Sequence, residues 1–288
     1  MANGGSSKPG QWSQDEVEKT VIDYFAMLRA ELLGEQYSKV DHSRRLLPLL
    51  NGRSAQSIEY KRANISAVLI RMRLPYINGY KPRTHTQTML AEEVGRFLGK
   101  HPVLEDLLSS PAMNPLRPPA LPEASAESFF ECPPERMPLS AEDNEPWLRR
   151  WGHKLDFVEH DAQNRTLGKL GEEFVLELEK RRLIECGQRD LANNVEWVSQ
   201  TRGDGTGFDI LSFDRDRSEQ YVEVKTTGLG KFFPFYVSAT EVRCSEHCPR
   251  QYRLYRVFNF ASVPRLFVLP GALSKTCQLQ PTEFKAVV

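Results

Sequence analysis

The chain has 288 residues, and its 38 Lys and Arg against 38 Asp and Glu leave no net charge at pH 7. That length suffices for two domains, each able to bury a core, while the even balance gives no chain-wide attraction to nucleic acid. With 40% apolar residues and no run long enough to cross a bilayer, a membrane-spanning class is excluded. The first residues lack the apolar core of a secretory signal, and five scattered cysteines suit a reducing compartment. The expected location is the cytoplasm.

Residues 1–11 read as a flexible tail, and 12–108 as a small α-helical domain. Ser13 and Glu16 match a capping box, after which Val17, Val21, Tyr24, Phe25, Leu28 and Leu32 recur at helical spacing until Gly34. A second helix is expected from His42 to Leu47, and a third from Ser57 to a stop before Pro75. A fourth is expected from Thr86 to Leu98, with Gly99 as its end.

Between His42 and Arg83 the charge is lopsided. Arg44, Arg45, Arg53, Lys61, Arg62, Arg71, Arg73, Lys81 and Arg83 stand against Glu59 alone. Such an excess is what phosphate contacts require, because each contact releases condensed counterions. Tyr60, Tyr76 and Tyr80 are interleaved and suit stacking on bases. The segment is therefore expected to contact nucleic acid, DNA first, the competing readings being a basic face that balances an acidic partner and solvated charge with no role.

Residues 109–146 are rich in proline and more acidic than basic, and read as a linker. From 147 to 288 the pattern is helix, three strands, helix, strand: a mixed sheet flanked by helices. The helix runs from Arg165 to Leu183 with Leu167, Leu170, Phe174 and Leu178 inward. Strands follow at Val195–Ser199, 208–213 and 221–227. Ser238 and Glu241 make a second capping box, and 252–258 alternate as a strand. The fold class expected is a two-domain α+β chain. Cys244, His247 and Cys248 have no second pair at zinc-site spacing and read as incidental.

Chemistry concentrates in two stretches, Gly203-Asp204-Gly205-Thr206-Gly207-Phe208-Asp209 and Glu223-Val224-Lys225. On a strand Glu223 and Lys225 share a face, about 6.6 Å apart along the chain. If the hairpin pairs, Asp209 comes beside Glu223. Carboxylates of this kind hold hard cations such as Mg2+, with Mn2+ as a substitute, and a lysine beside them can orient or deprotonate water. The Val224 carbonyl is a further candidate ligand. The glycines read as a turn, since a strand and not a helix follows them. Gly168 and Gly171 lie on the same shoulder of their helix as Glu172, where they permit close approach to a strand; Glu172, rather than Glu173, is thus the acid expected to reach the site.

Asp209 and Glu223-Val224-Lys225 resemble the D…(D/E)-x-K core of the PD-(D/E)XK nuclease superfamily. The longer text from Leu167-Gly168-Lys169-Leu170-Gly171-Glu172-Glu173 to Glu223-Val224-Lys225-Thr226-Thr227 is similar to the C-terminal domain of the plant NO VEIN protein, over about residues 163–267. The resemblance implies a restriction-endonuclease-like core and a Mg2+-dependent DNA endonuclease of restriction or anti-phage defence. Asp209, Glu223, Lys225 and Glu172 would be catalytic, with Asp209, Glu223 and Val224 on the metal. Partners would be DNA, a second copy of the chain or other defence proteins. The alternatives are a silent nucleic-acid or protein-binding module on the same fold, and a nuclease for RNA or modified DNA.

Overall fold

The computed structural model describes residues 10–33, 35–72, 74–83, 88–102, 104, 125–135, 157–260 and 263–279, leaving aside the side chains of 157–164 and 204. It is an α+β protein with helices towards the N-terminus and a five-stranded mixed sheet towards the C-terminus. Two compact units divide it: Met1–Ala112 with Ser140–Leu155, and Met113–Leu139 with Asp156–Val288.

The first unit is built on α1 (Gln14–Leu32), α2 (Lys39–Leu46), α3 (Ala55–Arg71) and α4 (Thr88–Lys100). The expected capping box closes α1, Ser13 Oγ accepting from the Glu16 N–H and Glu16 Oε2 accepting from the Ser13 N–H at 2.9 Å. Val17, Val21, Tyr24, Phe25 and Leu28 are buried as their spacing requires, whereas Leu32 is only half-buried. They share the interior with Ile65, Val68 and Leu69 of α3 and Leu90, Val94 and Leu98 of α4, the two helices packed on α1, whereas Ile58 packs with Leu46 and Leu50. Serine hydroxyls move two boundaries forward: Ser38 caps α2 and Ser54 caps α3, each accepting the N–H three residues on. Thr86, the expected start of the fourth helix, lies outside the described residues, and α4 runs past Gly99 to Lys100.

The second unit opens with a 29-residue helix, α5 (Phe157–Glu185). Its sheet has the order β1 (Glu196–Trp197), β2 (Ile210–Phe213), β3 (Glu219–Thr226), β4 (Tyr252–Phe258), β5 (Arg265–Pro270). Only β3 and β4 run parallel; the crossover between them carries α6 (Ala239–His247). The strand expected over Val195–Ser199 is shorter, because a helical turn starts at Val198. β5 goes beyond the sequence expectation. Its burial does not alternate, since Leu266 and Phe267 are both covered, so it carries no period of two.

Phe174, Val175 and Leu178 of α5 pack on one face of the sheet against Ile210, Val222, Val224, Tyr255 and Val257. Each such burial contributes about 1.5–3 kcal/mol. The other face carries Tyr252 and Leu254, packed with Leu273, Val242 and Cys244. Part of the stretch read as a linker belongs to this unit. Ala126 and Phe129 are buried in its core, and Phe130 bridges Leu266 with the Glu131 N–H donating to the Leu266 carbonyl at 2.8 Å. The physical reason is edge protection: residues 125–131 cover part of the free rim of β5, which sequence composition does not announce.

α5 reaches β3 most closely at Gly171, where a Cβ would fall 1.7 Å from Thr226 Oγ1; at Gly168 it would meet nothing within 4 Å. The close approach expected of both glycines is thus made by Gly171 alone. We predict that Gly171→Ala destabilises the chain by about 1–3 kcal/mol through overpacking, and that Gly168→Ala stabilises it by about 0.5–1 kcal/mol. Side-by-side thermal melts measure both, and equal midpoints for the two variants would contradict the contact.

Candidate active site

The site forms where β2 stops and β3 continues. Gly203 (φ 82°) and Gly207 (φ 85°) take left-handed backbone conformations around a single helical turn, as the turn reading required. At Gly207 a side chain would meet the Cys244 Cβ at 2.7 Å. The chain then enters Asp209, pinned on both sides: its N–H donates to the Val222 carbonyl at 2.9 Å, and its carbonyl accepts from the Ser199 N–H at 3.1 Å. Beyond this point no strand pairs with β3 on that side among the described residues. The Asp209 carboxylate takes over, Oδ2 accepting from the Val224 N–H at 2.8 Å. Because N–H and C=O of one strand residue point to the same neighbour, the Val224 carbonyl faces the Asp209 side as well.

Glu223 and Lys225 lie on the sheet face opposite α5. Lys225 Nζ is 2.7 Å from Glu223 Oε1 and 2.9 Å from Glu241 Oε2. Glu172, from α5, is held at Oε2 by the Trp197 indole N–H at 2.7 Å and the Ser199 hydroxyl at 2.5 Å. It turns towards the sheet while Glu173 is exposed. Ser199 therefore links the Asp209 backbone to the Glu172 carboxylate. All four sequence candidates, Asp209, Glu223, Lys225 and Glu172, thus gather at one end of the sheet.

The electrostatics follow from burial. Asp209 is pushed up to about 7, first by burial and then by the Glu172 charge, against the pull of its Val224 hydrogen bond. Burial also drives the Glu223 carboxyl well up, with the Lys225 ammonium pulling the other way. For Lys225 itself burial would lower the value, but the Glu223 and Glu241 carboxylates outweigh it and hold the ammonium above its ordinary range. Glu172, Asp209, Glu223 and Glu241 outnumber the lysine that sits among them. The Tyr252 hydroxyl, fully buried and without a hydrogen-bond partner, is pushed up first by burial and then by the Glu223 and Glu241 charges.

Among the described residues no three His, Cys, Asp or Glu side chains surround a point that a metal could fill. The Lys225 ammonium lies between the carboxylates instead. The donor set still fits a hard cation: it is all oxygen, it carries excess negative charge, and it includes an orphaned hydroxyl. Glu241 and Trp197 are among the participants that sequence reasoning missed. Glu241 was visible as the acid of a capping box, but nothing along the chain ties it to Lys225. Trp197 carries no local signal at all.

Residues 171–269 match the family described as Protein NO VEIN, C-terminal. The matched span holds Glu172, Asp209, Glu223, Lys225 and Glu241, and the first unit lies outside it. No curated protein and no solved structure matches the chain.

The basic segment of the first unit divides in two. Arg53, Lys61 and Arg62, expected on a phosphate-binding face, are interior. Arg53 donates to both oxygens of Glu16 at 2.8 Å, and Arg62 to Asp23 at 2.6 Å and the Tyr80 hydroxyl at 2.9 Å. Lys61 and Arg53 both lie over the Trp12 ring, each 4.6 Å from its centre, and burial followed by the Arg53 charge lowers Lys61 to about 8. The excess counted along the sequence is thus partly cancelled in space by acids of α1. Arg44, Arg45, Lys81 and Arg83 are exposed, Arg71 is half-buried, and Arg73 lies outside the described residues. Arg83 stacks over exposed Tyr60 at 4.0 Å.

Arg53 and two backbone N–H groups hold Glu16 down at about 2 against burial. A depressed carboxylate stabilises the fold above its unfolded value of about 4.3 and loses that contribution as pH falls towards the folded one. We predict that Glu16→Gln costs about 3 kcal/mol or more at pH 7, leaving Arg53 buried without its partner. The gap to the wild type should shrink as pH drops from 4.5 to 2. Denaturant titrations across that range check it, and a constant gap would show that the charge is not the cause.

Proposed function

We propose that the second unit is a divalent-cation-dependent nuclease of the PD-(D/E)XK kind that acts on DNA, with the first unit helping to hold the strand. Restriction or defence against phage is the setting this activity suits. The observation that carries the reading is the convergence of Asp209, Glu223 and Lys225 at one sheet end, with more carboxylates than ammonium groups around them. Asp209, Glu223 and the Val224 carbonyl would hold Mg2+ or Mn2+. The cation, when bound, would acidify water and offset charge on the phosphorus centre. Lys225 remains charged between its two carboxylates, so its part is to orient the attacking water and donate to phosphate oxygen rather than to take a proton. Glu172, fixed by Trp197 and Ser199, adds negative potential beside Asp209.

A second reading has its own observation. Asp209 Oδ2 replaces a missing ladder acceptor for the Val224 N–H, which gives that carboxylate a use in the fold alone. A silent binding module would keep it for that reason.

Purified chain with Mg2+ or Mn2+, offered plasmid, modified phage DNA, single-stranded DNA and RNA, separates the two. Cleavage of DNA is expected, abolished by EDTA and by Asp209→Ala, Glu223→Ala or Lys225→Ala with circular dichroism unchanged. In the same assay Glu172→Ala should cost about tenfold or more, and Glu173→Ala very little. Full activity of Lys225→Ala, or cleavage in excess EDTA, would sink the mechanism. Binding without cleavage of any substrate would favour the silent module.

For the first unit, only exposed cations can release counterions. DNA affinity should fall with a log–log salt slope of about −0.9 per phosphate neutralised, and Arg44→Gln with Arg45→Gln should flatten it by up to about 1.8. A slope indifferent to that pair would remove α2 from the interface.

A further inference from the structure

Lys225 holds the position on Glu223 that an incoming cation would need. Its ammonium is 2.7 Å from Glu223 Oε1, and Glu223 is a buried strand residue with little freedom to turn away. The second partner, Glu241, comes from another element. It is the third residue of α6, and its Oε2 accepts both from Lys225 at 2.9 Å and from the Ser238 N–H at 3.1 Å, while Ser238 Oγ accepts from the Glu241 N–H at 3.2 Å. Glu241 is therefore anchored from behind by its own helix start. Capping alone does not require a charge, since glutamine closes the same box. The charge has another use. An ammonium displaced from Glu223 without a second carboxylate would be left unpaired in a mostly buried site next to a like charge, a costly arrangement. The flexible four-carbon stem lets the ammonium shift by a short distance while remaining paired.

We propose that Lys225 is a built-in counter-cation of the site and that Glu241 is its second partner, receiving the ammonium when a divalent cation takes Glu223. Glu241 is thus a positioning residue that acts through Lys225, and the inference rests on the cation-binding reading of the site given above. It turns the absence of a ready metal cluster among the described residues into a consequence of the lysine's location. It also keeps the Lys225 ammonium paired at the site in both states.

The test measures Mn2+ binding to the full chain by electron paramagnetic resonance, with no substrate present. Site binding is the part that Glu223→Gln removes. Lys225→Met, which deletes the competitor, should bind Mn2+ about tenfold more tightly than the wild type. Glu241→Gln, which keeps the capping box, should weaken binding about tenfold in the wild type but by less than about twofold in the Lys225→Met background, a coupling that a merely structural role would not produce. Equal weakening in both backgrounds would make Glu241 a direct ligand and overturn the inference, as would Lys225→Met binding no more tightly than the wild type. If Glu223→Gln removes no binding from either the wild type or Lys225→Met, the cation-site reading falls together with the inference. If site binding is present and only the coupling fails, the inference alone falls.

Discussion

A helix backbone can come this close to a strand only where no side chain intervenes, and in the second unit Gly171 supplies that gap over Thr226. The Thr226 side chain fills the place a Cβ would take, which fixes both the height and the rotation of α5 over β3. The rest of that helix face is consistent with this placement. Glu172, one residue on, faces Trp197 and Ser199 beside the end of β2. Phe174, Val175 and Leu178 reach the sheet core. Glu179, seven residues after Glu172 and so on nearly the same face, enters the interior over Ser212 and Tyr255.

The buried acids of this protein fall into two kinds, and the difference is chemical. Glu179 is saturated: Arg182 donates to both of its oxygens, and Ser212 and Tyr255 supply one hydroxyl each. Glu16 is likewise held by two nitrogens of Arg53 and two backbone N–H groups. Buried carboxylates so furnished are parts of the fold. Asp209 and Glu223 are buried among further acids with a single ammonium to share, and their carboxyls are driven up where that of Glu16 is held down. A fold that saturates Glu16 and Glu179 has the means to neutralise a carboxylate; around Lys225 acids are left in excess at one sheet end, and the proposed cation would offset them.

What the sequence made legible was local. Both capping boxes, the glycine turn before Asp209 and the Glu223–Lys225 strand depend on neighbours within a few residues and stand as read, and Glu172 turns towards the sheet while Glu173 is exposed. What it hid was long-range. Arg53 and Arg62 look like phosphate ligands until Glu16 and Asp23, far earlier in the chain, are brought against them. Ala126 and Phe129 look like linker until the edge of β5 supplies a surface to cover. β5 itself, with the adjacent Leu266 and Phe267 both covered, lost the alternation that marks a strand. Charge counted along a chain and charge counted in space are different quantities whenever helices pack.

The site itself arises from unequal strands. β3 spans eight residues and β2 four, so the second half of β3 runs on past the point where its antiparallel neighbour ends. The neighbour ends because Gly203 and Gly207 turn the chain away, and at Gly207 there is no room for a side chain beside Cys244. That leaves the Val224 N–H unpartnered at depth, and the first residue able to reach it is Asp209. A buried donor without a backbone acceptor costs about 1–3 kcal/mol, so a carboxylate at 209 is favoured by the fold before any chemistry is considered. Once there, its charge lies beside Glu223 on the protruding strand, and only Lys225, two residues on and on the same face, offsets the pair from within β3. One mismatch in strand length thus recruits the aspartate, brings it to the second carboxylate and makes the lysine necessary.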